Sequence, residues 1–209
     1  MILSLIVNVV IAVVTSIVVS KDFYNKEGKR DWKKGAVSMR FFTTLSNMFN
    51  ALAACVLAIA EIVLLIKGGQ LADLPYGIIL LKYVATCAVT VTFLTVMAFL
   101  GPVFGYKAML GGAGAWVHAA GPLLSVISFC FLEKVYAYGF SPAWMGILPT
   151  FVYGTFYLYR VVFQTEEKGG WPDFYAFNRS GKWPISYGAM MAGSVLVCIG
   201  ITLLHNIGL

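Results

Sequence analysis

The sequence predicts an all-α, polytopic membrane protein with six transmembrane helices, on three observations. Of its 209 residues, 60% are hydrophobic and only 11% are charged, and the mean hydropathy is +0.84. A water-soluble domain of this length could not bury so much apolar surface. The apolar residues also fall in runs of about 20 residues or more, the length that crosses a bilayer. We expect a single transmembrane domain over residues 1–209.

Six apolar runs, joined by short polar connections, define the predicted spans. The first, 1–20, has neither a positive segment before it nor a small-residue cleavage site after it, so we expect a retained span. The second, 37–66, is longer than a bilayer requires, so its start lies at the interface or the helix is tilted. The remaining runs are 78–103, 114–133, 144–164 and 184–206.

The net charge of +6 reflects lysines and arginines placed mainly in the connections. Ten of these residues lie in the first, third and fifth connections, against two in the second and fourth. The positive-inside rule therefore predicts that the odd-numbered connections are cytoplasmic, where the basic residues meet anionic lipid. No nucleic-acid-binding pattern accompanies them. The small size and short tails favour a bacterial inner membrane, with the endoplasmic reticulum or plasma membrane as the eukaryotic alternative.

Polar side chains occupy the first turns of the second predicted helix. Thr43, Asn47 and Asn50 are spaced i, i+4 and i+7 and share one face, with Arg40 one turn before them. Such residues can stabilise contacts between helices through hydrogen bonds. They can also form a functional site, since polar groups within a membrane are costly. Spacing alone leaves both interpretations open.

His118 lies in the first turns of the fourth predicted helix, which enters the membrane from the same side as the second. Its depth should therefore match that of Thr43. A neutral histidine beside a hydroxyl can take its proton and make it a nucleophile. The other histidine, His205, is expected near the opposite membrane face. We therefore predict no metal site, and no cofactor is indicated.

The fourth predicted helix also contains a proline. Pro122 should kink the helix and free a backbone carbonyl near His118 or Ala119. Ser125 follows His118 at i+7, so the two side chains are expected on one face.

The fifth predicted helix ends with Tyr157 and Arg160 at the cytoplasmic boundary. This is typical of an aromatic belt with a snorkelling arginine; alternatively, Arg160 binds a substrate carboxylate. The connection that follows, QTEEKGGWPDFYAFNRSGKWP, is too aromatic for a plain tether. We expect it to fold over the cytoplasmic mouth as a lid or interfacial plug.

Several motifs, in this order, resemble the androgen-induced protein family of six-pass membrane proteins. They are RFFTTLSN in the second helix, WVHAAGPLL in the fourth, and LP…YGTFYLYR followed by GGWPDFYAFN. Eukaryotic members are threonine hydrolases that cleave fatty acid esters of hydroxy fatty acids, and the resemblance implies a lipid-ester hydrolase here. It places the nucleophile on Thr43, with Thr44 as the adjacent alternative, and the base on His118. The family's Tyr-Pro-Phe element is matched only loosely, by WPDFYAF.

The resemblance also implies how a lipid ester is bound after it enters from the inner leaflet. The predicted substrate-binding residues are Arg40, Asn47, Asn50, Ser125, Tyr157 and Arg160. Either asparagine would donate to the oxyanion, and either arginine would bind a free carboxylate. Two alternatives remain: a non-enzymatic transporter or lipid-binding protein that uses the same polar pocket, and a structural subunit in which the polar stripe only packs. The oligomeric state is left open.

Overall fold

The computed structural model describes residues 1–139, 143–164 and 166–209, and it is 79% helical with no strand in those ranges. The predicted all-α class is confirmed. The helices are α1 (Ile2–Ser20), α2 (Trp32–Ser38), α3 (Phe42–Lys67), α4 (Tyr76–Phe104), α5 (Tyr106–Leu110), α6 (Ala113–Leu132), α7 (Leu148–Leu158) and α8 (Trp183–Asn206).

Within the described ranges, five helices are long and apolar enough to cross a membrane, namely α1, α3, α4, α6 and α8. These confirm a polytopic membrane protein. The other predicted span, 144–164, is helical from Trp144 to Phe163, with a 3-10 turn before α7 and a π-turn after it. Its tyrosines and Arg160 make it less apolar than the five, and its crossing of the bilayer stays a prediction.

The second predicted span begins later than expected. Residues 37 and 38 belong to α2, and α3 starts only at Phe42 because Phe41 is extended, with φ −93° and ψ 133°. Arg40 therefore lies in the break between two helices and not one turn above Thr43 in the same helix. Thr43 itself is in the first turn of α3.

Contacts between connections define two ends of the bundle. At one end, the Tyr136 hydroxyl donates to the Leu74 carbonyl at 2.6 Å, which brings the second and fourth connections together. The Lys134 ammonium donates to the Ile207 carbonyl, so the C-terminal residues lie there too. We call this the terminal end.

At the opposite end, the Phe42 N–H donates to the Tyr175 hydroxyl at 3.0 Å, and the Tyr153 hydroxyl donates to the Arg40 carbonyl at 2.7 Å. The first and fifth connections therefore meet, and we call this the loop end. The two ends alternate along the chain as the predicted order of spans requires.

The hydrophobic core lies mainly between α3, α4, α6 and α8. Tyr83 is fully buried there, packs against Phe129 with ring centroids 5.6 Å apart, and donates to the Ala143 carbonyl at 3.1 Å. Leu57 and Ile201 are buried in the same cluster. This core fixes α3 against α6, the two helices that carry Thr43 and His118.

Candidate functional site

Thr43 has the freer hydroxyl of the two adjacent threonines. The Thr44 hydroxyl lies 3.0 Å from that of Ser38, which in turn donates to Asp22 at 2.5 Å. The Thr43 side chain is half-buried and makes no hydrogen bond to any residue that the structure describes. A hydroxyl without a competing partner is the better placed of the two to react.

Asn47 joins the start of α3 to α6. Its Nδ2 donates to the Thr43 carbonyl at 2.8 Å and to the Val117 carbonyl at 2.9 Å. The side chain is fully buried, and its Oδ1 has no partner among the described residues. Since Val117 directly precedes His118, this one amide brings the turn of Thr43 against the turn of His118.

A local distortion of α6 explains why the Val117 carbonyl is available. Residues Trp116–Ala120 form a π-turn, in which the Gly121 N–H donates to the Trp116 carbonyl. With the same spacing of five residues, the Val117 carbonyl would accept from the N–H of residue 122, but that residue is Pro122 and has no N–H. The freed carbonyl is therefore that of Val117, one residue earlier than a regular helix would give.

His118 is held by a backbone carbonyl. Its Nδ1 lies 2.6 Å from the Met109 oxygen, and because a carbonyl can only accept, Nδ1 carries the proton. Nε2 is then an acceptor, as a general base requires. Gly114 permits this contact, since a Cβ there would lie 2.2 Å from the Met109 oxygen.

Thr43 and His118 are not hydrogen-bonded in this structure. Their connection is indirect, through Asn47, which donates to the Thr43 carbonyl and to the carbonyl of Val117 next to His118.

The chain matches no family model, no curated protein and no solved structure. The resemblance to the androgen-induced protein family thus rests on the motifs in the sequence, and the reaction it implies stays a proposal.

The connection after α7 covers the loop end with aromatic rings. Tyr157 is 1% exposed beneath it, where its hydroxyl donates to Asp173 at 3.0 Å. Phe174 and Phe177 pack on the Tyr157 ring, with centroids 5.2 and 5.7 Å away. Tyr157 therefore packs beneath this cover and is not exposed to a ligand, in contrast to its predicted role in substrate binding.

Tyr175, in the same connection, reaches the first turn of α3. Its hydroxyl accepts the Phe42 N–H and has the Tyr153 hydroxyl as a further hydrogen-bonding neighbour. Burial raises the pKa of Tyr175, which keeps the hydroxyl protonated near neutral pH. Tyr175 was not among the predicted site residues, because nothing in the WPDFYAF motif shows which aromatic side chain turns inward.

The two predicted arginines share one aromatic partner. The guanidinium carbons of Arg40 and Arg160 lie 5.6 and 5.1 Å from the centroid of the Trp171 ring. Arg160 also donates to the Gly169 carbonyl. The structure thus brings together the two residues proposed to bind a carboxylate, although they are far apart in the sequence.

An apolar groove of about 320 Å³ runs between α3 and α7. It is lined by Phe42, Leu45, Ser46, Phe49, Pro149, Val152, Tyr153 and Phe156. Thr43 is not among these lining residues, but Phe42 and Ser46 lie one residue before it and three residues after it on α3. Its shape and lining suit a hydrocarbon chain.

Asn50 and Ser125 do not join this site. The Ser125 hydroxyl donates to Asn50 Oδ1 at 2.8 Å and lies 2.9 Å from the Thr86 hydroxyl, and all three side chains are fully buried. These contacts tie α3, α4 and α6 together, which is the packing role of polar residues in a membrane. His118 lies inside the π-turn Trp116–Ala120, so the i+7 spacing of a regular helix does not put it and Ser125 on one face.

Proposed function

We propose that this protein is an intramembrane hydrolase of lipid esters, with Thr43 as the nucleophile and His118 as the base. The bridge from Asn47 to the Thr43 and Val117 carbonyls is the observation that carries the proposal. It supports the proposal because it joins the turn that carries Thr43 to the residue that directly precedes His118. The cytoplasm is the aqueous side of the loop end, and a bacterial inner membrane is the location we favour.

The reaction runs in two steps. The Thr43 oxygen attacks the ester carbonyl while His118 Nε2 takes its proton, and the C–O bond to the alcohol breaks as His118 returns that proton to the alcohol. His118 then takes a proton from water, which attacks the acyl-threonine; as the bond from the acyl carbon to the Thr43 oxygen breaks, His118 gives this proton to that oxygen, and the acid is released. The hydrogen bond between the Thr43 hydroxyl and His118 Nε2 is absent in this structure and forms when substrate binds, as catalytic hydrogen bonds commonly do.

Tyr175 supplies the hydrogen bond to the oxyanion in this proposal. Asn47 or Asn50 was predicted for this task, but Asn47 Nδ2 already donates to two carbonyls and Asn50 lies two turns deeper. The Tyr175 hydroxyl lies at the first turn of α3, and its proton would turn from the neighbouring Tyr153 hydroxyl to the oxyanion. The positive end of the α3 dipole adds to the effect at the same place.

The groove between α3 and α7 holds an acyl chain, which would enter from the lipid. Arg40 and Arg160, which both contact the Trp171 ring, bind a carboxylate on the far part of the substrate. An ester of a hydroxy fatty acid carries both features, a hydrocarbon chain and a free carboxylate.

The proposal is tested by assaying purified protein against a panel of lipid esters. Thr43→Ala and His118→Ala should each lower the rate by on the order of 10⁴-fold and abolish labelling by a fluorophosphonate probe, with folding intact. Thr43→Ser should keep measurable activity, since it keeps the hydroxyl. Thr44→Ala is the matched control and should keep its activity, because the Thr44 hydroxyl is bound to Ser38. Full activity of Thr43→Ala would refute the assignment.

A lipid-binding protein without catalysis is the second candidate, and the missing hydrogen bond between Thr43 and His118 favours it. A fluorescent lipid ester would then bind to the wild type and to Thr43→Ala with equal affinity. In that case mass spectrometry would detect no free acid with either protein.

A further inference from the structure

The terminal end contains a buried cluster of charged and polar side chains that the proposed reaction does not use. Asn8 of α1 is its centre. Asn8 Nδ2 donates to Glu133 Oε1 at 2.6 Å, and Asn8 Oδ1 accepts from Lys82 Nζ at 2.8 Å. All three side chains are fully buried.

Glu133 receives three hydrogen-bond donors of the cluster. Its Oε1 accepts from Asn8, Ser4 and Ser128. Lys82 Nζ is joined to it through the Asn8 amide, which accepts from Lys82 and donates to Glu133.

Glu61 of α3 differs from Glu133 in its hydrogen bonds. It is fully buried, and neither of its carboxylate oxygens has a hydrogen-bond partner among the described residues. Ser4 lies beside it, but the Ser4 hydroxyl donates to Glu133. The charged groups that act on it are Glu133, Lys82 and the amino group of Met1. None of these makes an ion pair with it within 4.0 Å in the part of the chain described.

We propose that Glu61 is a proton-binding site, which carries one exchangeable proton in the folded protein and takes it up from the terminal end. An ionised carboxylate without donors is strongly unfavourable in an apolar interior, whereas the neutral acid is tolerated. Intramembrane carboxylates in such settings mark proton pathways.

The test is labelling of purified protein with dicyclohexylcarbodiimide, which reacts with protonated carboxyl groups in apolar surroundings, followed by peptide mass spectrometry. We expect the label on Glu61, with loss of labelling as the pH is raised. Glu61→Gln should lose this label, and Glu133→Gln should keep it. Since Glu133 Oε2 also lacks a partner, a label on Glu133 instead would refute the assignment.

Thermal unfolding gives a second measurement that does not depend on labelling. The melting temperature of the wild type should fall as pH rises, because ionising Glu61 is unfavourable only in the folded state. Glu61→Gln, which mimics the neutral acid, should fold and lose this part of the pH dependence. An unchanged pH dependence in the variant would refute the proposal, as would protection from the label by Na⁺ at constant pH, which would indicate a cation site.

Discussion

The Nδ1 of His118 lies 2.6 Å from the carbonyl oxygen of Met109, nine residues earlier in the chain. The turn through residues 110–113 folds back so that a main-chain carbonyl orients the ring, a task for which hydrolases often use a carboxylate. A carbonyl fixes the tautomer but adds no negative charge beside the imidazolium. The sequence offered no residue for this role, because the group involved is not a side chain.

Gly114 is required for this contact, so Gly114→Ala should disturb it. The new Cβ would lie 2.2 Å from the Met109 oxygen and displace it from His118. A misplaced base should lower the rate of ester hydrolysis by about 100-fold. Gly193→Ala in α8 is the control, because a Cβ there meets nothing within 4 Å. Equal rates for both variants would contradict the role of Met109.

Asn47→Ala should loosen the contact between α3 and α6. It removes two hydrogen bonds and leaves the Val117 carbonyl buried without a donor, at a cost of roughly 1–3 kcal/mol. A lower melting temperature in detergent would measure this loss. Leu52→Ala is the comparison, since Leu52 is 59% exposed and faces outward on the same helix. A larger loss of stability from Leu52→Ala would contradict the bridging role.

Tyr175→Phe should remove the proposed donor to the oxyanion and keep the aromatic ring of the cover. We expect kcat to fall by roughly 100-fold or more, with little change in KM. Tyr136→Phe is the matched control, because its hydroxyl bonds to Leu74 at the terminal end. If both variants kept full activity, the oxyanion would have another donor.

Val152→Trp should fill the groove between α3 and α7. Val152 is 63% exposed on the groove wall, so the larger ring can be accommodated without disturbing the core. Hydrolysis of long-chain esters should fall by about 10-fold or more, whereas a short ester should react at the original rate. Leu196→Trp, on an exposed face of α8, is the control. An equal loss for long and short esters would indicate general damage rather than a blocked groove.

The apolar runs predicted the membrane class and most helix positions, because hydrophobicity and length act locally along the chain. The break at Phe41 was not predictable in this way, since it depends on how α2 and the fifth connection meet. It moved Arg40 out of α3 and next to Trp171. The pairing of Arg40 with Arg160 therefore appears only in three dimensions.

Within the site, the spacing of Thr43 and Asn47 was informative because both lie in one regular stretch of α3. The spacing of His118 and Ser125 was not informative, because His118 lies inside a π-turn of α6. Glu61 and Lys82 were visible in the sequence as charges inside apolar runs, and that signal alone marks them as candidates for function. They were not among the predicted site residues, because Thr43, Asn47 and Asn50 form a longer polar stripe at the other end of α3.

Pro122 has a consequence for the angular position of the imidazole. In an α-helix each residue turns the chain by about 100°. The extra residue in the π-turn therefore rotates the residues before it, relative to the part of α6 that follows. The direction in which the His118 ring points thereby depends on a residue that has no reactive group. Regularising this helix would leave Thr43 where it is and turn the His118 ring toward another wall of the bundle.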